Sequence, residues 1–181
     1  MNSFLIVHRP PRQPLRLARH HIDMLGGALS GLGGGGAMII IAAMLTYVLN
    51  QDPWAQLRLL AQPIMGSAAT ATSGFAMGPV LVGLLVHLSI AALLGVLFAL
   101  LVRWLARLPS LLSLPEMAGL AYGLLLWAAV YFLVAPFASS LMLTTAAPVL
   151  PVLLIQHMVY GASTGLLYSM LRPQPILLAH T

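Results

Sequence analysis

Two histidines sit inside long apolar stretches of this 181-residue chain, and each opens a similar stripe of small residues. His87 is followed four and eight positions later by Ala91 and Gly95, and His157 by Gly161 and Gly165. Phe98 and Tyr168 come three residues after the second glycine. On a helix this spacing puts the imidazole and the small residues on one face. An ionisable side chain inside an apolar span is costly to bury and marks a functional candidate. Three chemistries suit the pair. Neutral imidazoles can hydrogen-bond across helices to Ser89, Ser163, Tyr160 or backbone carbonyls. They can ligate a b-type haem held between helices. They can also line a small polar path or bind a metal or quinone. Two imidazoles alone make a thin metal site, because zinc usually takes three or four protein ligands. No metal is therefore assigned, and the cofactor stays open, with haem b one possibility.

Other chemistries are largely excluded. The chain has no cysteine, hence no disulfide, thiolate metal site, iron–sulfur cluster or covalent haem attachment. Its three carboxylates, Asp23, Asp52 and Glu116, lie outside the apolar cores, so paired-carboxylate catalysis has no place to act. No serine or threonine stands beside a base, and lysine is absent. No catalytic residue is assigned, and the chain reads as a non-enzyme. The run Gly31–Gly36 has dinucleotide-binding spacing, but no strand precedes it and it lies within an apolar span. Its glycines suit helix packing better. Gly27, Gly31 and Gly35 are four apart and form a smooth face that lets another backbone approach, and Gly119 and Gly123 repeat the device. The four successive glycines of 33–36 weaken helix, which leaves a hinge or gate as the second reading.

The elements that must position these residues follow from composition. With 60% hydrophobic and only 6% charged residues, the chain could not cover a soluble globule with polar groups. A membrane-spanning helix needs about 20 mainly apolar residues. Four stretches qualify, roughly 25–49, 79–106, 117–135 and 149–171, and none alternates as a membrane barrel strand would. The fold class is all-α, a polytopic bundle of four transmembrane helices. Arginine counting orients it: Arg9, Arg12, Arg16, Arg19, Arg103, Arg107 and Arg172 fall on one side and only Arg58 on the other. Both termini are then cytoplasmic, which explains the net charge of +5 without nucleic acid. The expected organisation is a basic segment at 1–24, one transmembrane domain at 25–171 and a tail at 172–181. Asp23 is placed to start the first span and complement its dipole, and Ser113-Leu114-Pro115-Glu116 to cap and start the third.

The loop 50–78 has its own character. Asp52-Pro53-Trp54 reads as a cap and first turn, and Trp54, Leu57, Ala61 and Ile64 recur at helical spacing, so a short helix can lie in the outer interface. The Ser-, Ala-, Thr- and Gly-rich 66–78 reads as a flexible linker, or alternatively as a lid or docking strip. Gln156 is a weak partner for His157, because it points to another face. Sliding the chain on itself lays the second span on the fourth, so that His87, Ala92, Gly95 and Leu101 meet His157, Ala162, Gly165 and Leu171. The first span falls on the third with Gly27 on Gly119 and Gly31 on Gly123. This predicts two similar helical hairpins related by a pseudo-twofold axis along the membrane normal.

Glycine at spacing four in the odd spans and His-x-x-(Ile/Tyr)-(Ala/Gly)-x-x-x-Gly in the even ones resemble a group of small uncharacterised bacterial four-helix membrane proteins. The likeness implies architecture and a bacterial cytoplasmic-membrane location. The long first outer loop and the proline- and arginine-rich N-terminus depart from the group. The functional expectation is a non-catalytic accessory or structural subunit of a larger membrane complex, such as a respiratory or photosynthetic one, docking other subunits through its glycine faces. The alternatives are a haem-binding electron-transfer subunit using His87 and His157, and a small channel or transporter.

Overall fold

The computed structural model describes residues 14–106, 114–134 and 150–172, which form helices and turns and, among the described residues, no strand. Helix α1 spans Pro14–Val48, α2 Ala55–Met65, α3 Met77–Leu105, α4 Pro115–Ala129 and α5 Leu150–Leu171. A 3-10 turn, Gly66–Thr70, follows α2, and a π turn, Val130–Val134, continues α4. Among the described residues, three segments are long and apolar enough to cross a membrane: Asp23–Val48, Met77–Leu105 and Pro115–Leu133. Helix α5, with 22 residues, is about 33 Å long and has the reach. Gln156, His157, Ser163 and Thr164 interrupt its apolar run.

Helix starts differ from the sequence expectation in two places. Helix α1 is helical from Pro14, the first described residue, and runs through part of the basic segment because leucine, arginine and alanine are good helix formers. Asp23 therefore lies well inside α1 and cannot serve the helix N-terminus. It stands instead 3.9 Å from the Arg103 guanidinium, near the end of α3. Helix α4 has Pro115 in its first turn, but its N-cap is Leu114, with no side-chain cap. Ser113, expected to cap it, lies outside the described residues, as do Arg9, Arg12 and Arg107.

Packing follows from where the glycines fall. Helix α1 lies between α3 and α5, antiparallel to both, and α4 packs along α5. A Cβ on Gly27 would come 2.7 Å from the Ala99 Cβ, and one on Gly95 would come 2.6 Å from the Gly31 Cα. In the second hairpin a Cβ on Gly161 would come 2.7 Å from the Gly123 Cα, and one on Gly119 would come 2.9 Å from the Gly165 Cα. Both crossings are thus backbone on backbone, the geometry small residues permit when lipid offers no hydrophobic drive between helices. The run at 33–36 stays helical. Gly35 faces Ala91 and His87 of α3, whereas Gly33 and Gly34 face Leu167 and Thr164 of α5. A helix wedged between two neighbours needs small residues on two faces, and consecutive glycines supply them.

The loop between α1 and α3 is built as a strap. Leu57 and Ala61 of α2 are buried, and the Leu57 carbonyl rests where Gly83 of α3 has no side chain. Ala69 of the 3-10 turn is fully buried, so 66–78 is more than a plain linker. The Asp52 carboxylate accepts hydrogen bonds from the backbone N–H of Trp54 (2.9 Å) and Gly74 (2.8 Å) and pairs with Arg58 at 2.8 Å. Arg58 also donates to the Gly74 carbonyl. Gly74 turns here with φ +75°, a conformation that favours glycine. Trp54 and Phe75 meet edge to face at 5.0 Å and close the strap.

Candidate functional site

The two histidines occupy the strap end of the bundle, held by α3 and α5. His87 Nε2 lies 3.2 Å from the Gly35 carbonyl of α1, and His157 Nδ1 lies 2.8 Å from the Leu153 carbonyl one turn earlier on its own helix. Backbone carbonyls are thus the partners, rather than Ser89, Ser163 or Tyr160. A nitrogen facing a carbonyl carries the proton, so His87 is the Nε2–H tautomer and His157 the Nδ1–H tautomer when neutral.

The crevice beside His87 is small, and the close contact of α1 with α3 runs next to it. The crevice beside His87 has a volume of about 30 Å³, whereas sites for cofactor-sized molecules occupy about 300–1,000 Å³. His87 Nε2 is also engaged by Gly35, and backbone contact at Gly31 and Gly95 leaves no gap between α1 and α3. Among the described residues no group of three or more His, Asp or Glu could hold a metal ion.

What surrounds the histidines is a polar seam that sequence reasoning missed. Gln156, Tyr160, Thr164 and Tyr168 recur every fourth residue along α5, and each is at most 3% exposed. Their Cα positions span about 18 Å of one helix face. The Gln156 side-chain oxygen accepts a hydrogen bond of 3.1 Å from Gln56 of the strap. The Tyr160 hydroxyl donates to the Ala91 carbonyl (2.8 Å), and the Tyr122 hydroxyl of α4 donates to the Leu94 carbonyl (2.9 Å). Thr164 Oγ1 is buried against Gly34 with no hydrogen-bond partner among the described residues. Below it, Phe98 packs on Tyr122 and Tyr168 at 5.3 and 5.8 Å. The signal is a spacing-four polar pattern on a face of α5 other than that of His157, the face to which Gln156 belongs.

The hydrogen bonds of this seam tie α4 and α5 to α3, and α2 to α5. Hydroxyls on α4 and α5 reach carbonyls of α3, and an amide on α2 reaches one on α5. Such contacts hold helices in register where hydrocarbon gives polar groups no other partner. Nothing in the seam supplies an activated nucleophile or a pair of acid and base groups. The remaining singled-out residues lie apart from it. Arg103 is at the lower end beside Asp23, Arg58 is taken up by the strap, and Trp127 stacks on Tyr131 at 5.9 Å. No protein-family model matches the chain, and searches of curated proteins and of solved structures found no match, so its function is argued from this geometry alone.

Proposed function

We propose that this chain is a non-catalytic, four-span subunit of a larger bacterial membrane complex, set in the cytoplasmic membrane with both termini inside. The observation that carries the reading is the direction in which side chains face. Gln156, His157, Tyr160, Thr164 and Tyr168 of α5 are buried inside the bundle, while the perimeter is apolar. Ile40, Leu85, Leu93, Leu125, Leu133 and Met170 are all more than 60% exposed. An apolar perimeter of this size suits lipid and neighbouring helices. It also supports a fourth span, because the groups that dilute α5 would be shielded from lipid by α1, α3 and α4. Trp54 and Tyr47 near one end and Trp104 near the other suit the two interfaces.

The crossings support a pair of similar hairpins. Gly31 sits on Gly95 as Gly119 sits on Gly165, and Gly35 lies by Ala91 as Gly123 lies by Gly161. In this register Gly31 corresponds to Gly119, one helical turn from the alignment read from sequence. The glycine faces meet each other within the chain, so partner contacts fall on the apolar perimeter instead. Gentle purification followed by native mass spectrometry tests the reading. Stoichiometric membrane partners are the expected result; a lone monomer or homo-oligomer would overturn it.

A further inference from the structure

The crevice under the strap is a partly open space lined by polar residues from three helices. Gln56 of α2, His87 of α3 and Gln156 of α5 line it, and Met38, Leu57 and Trp54 are among its apolar walls. Its volume of about 30 Å³ exceeds the 10–15 Å³ that one water requires. A site holds water only when it offers two to four polar partners; otherwise it stays dry. Here the partners are neutral amides and an imidazole, which both donate and accept, with no carboxylate or lysine to select an ion. Gln156 can spend one acceptor on Gln56, which leaves its two amide N–H donors for other groups. His87, with its proton on Nε2 facing Gly35, keeps an acceptor on the other ring nitrogen.

We propose that this crevice is a binding site for one or two water molecules that bridge Gln156, His87 and Gln56, coupling the strap to the bundle. The ligand class is set by size and charge: a neutral molecule no larger than water, able both to donate and to accept. A solute-sized ligand lacks room, and an apolar one would leave the amides without partners.

Radiolytic hydroxyl footprinting of the full chain in lipid nanodiscs tests this, because radicals formed from bound water oxidise the side chains beside it. Met38 is 8% exposed and lines the crevice, so its oxidation reports local water. The expected result is a Met38 rate about tenfold above that of the buried Phe98, falling several-fold in Gln156→Leu. Met38 oxidation at the Phe98 level in the wild-type chain would overturn the proposal. So would a high rate that Gln156→Leu leaves unchanged, since that reports general solvent access instead. Should Gln156→Leu not fold, Gln56→Leu alters the same water partners from the strap, and the same fall is expected.

Discussion

At the scale of the residue, some glycines meet the backbone of a facing helix, some meet side chains, and Gly36 meets nothing. A side chain at Gly161 would run into the Gly119 carbonyl and come within 2.7 Å of the Gly123 Cα. The neighbours there are backbone on a facing helix and can move only if the crossing opens. Overpacking of this kind costs about 1–3 kcal/mol. Gly161→Val is therefore expected to lower the melting temperature in detergent markedly. A Cβ added at Gly36 would meet no heavy atom within 4 Å, so Gly36→Ala is expected to be neutral or to stabilise by up to about 1 kcal/mol through helix propensity. Equal effects of the two substitutions in a thermal-shift measurement would refute this account of the crossings. The tyrosines act at the same scale but by direction: Tyr160 and Tyr122 both aim a hydroxyl at α3, which turns two aromatic core residues into links between helices.

At the scale of the element, the strap shows how a loop acquires a fixed position. Burial on its own would raise the Asp52 carboxyl, but hydrogen bonds from Gly74 and Trp54 and the Arg58 pair outweigh it and hold it below the usual carboxylate range. A carboxylate with a lowered folded value contributes its stabilisation fully above the unfolded value of about 3.9. That contribution is lost as pH falls through the lower folded value. Amide exchange in α2 is therefore expected to be slow and constant from neutral pH to about pH 5, after correction for intrinsic exchange rates, and to accelerate in stronger acid. In Asp52→Asn it is expected to be fast already at neutral pH. Indistinguishable protection in the two proteins would show that Gly83 and Leu57 hold the strap without the clasp. Helix α5 illustrates the opposite case. Gln156, His157 and Thr164 dilute its apolar run, yet they are the ones its neighbours cover.

At the scale of the whole molecule, the scarcity of charge and its uneven placement bear on orientation. Asp23 and Arg103 come together at one end of the bundle, while Asp52 and Arg58 pair at the other within the strap. The proposed orientation puts the first end in the cytoplasm, where seven of eight arginines fall. Because the chain has no cysteine, single cysteines report sidedness cleanly. In intact cells, cysteines at Asn2 and Thr181 are expected to resist a membrane-impermeant maleimide, while one at Gln51 is expected to react. Labelling of either terminus would reverse or break the proposed topology.

Residue order alone sets the long helices to within a few residues at most ends, because an apolar run of about 20 residues has few alternatives. It also marks Gly27, Gly31, Gly119 and Gly123 as packing residues, since spacing four leaves one smooth face whatever lies opposite. What lies opposite is decided by the folded arrangement. There α1 is packed on two sides, which gives 33–36 a reason that a single helical wheel cannot supply. Folding also places Gln156 against Gln56, a hundred residues away, and gives His87 and His157 backbone carbonyls as partners beside a seam of hydroxyls and amides. His87 and His157 are legible as a pair because their spacing repeats. Their partners are not, because a backbone carbonyl carries no signature in sequence and becomes a partner only when two helices meet at a particular register.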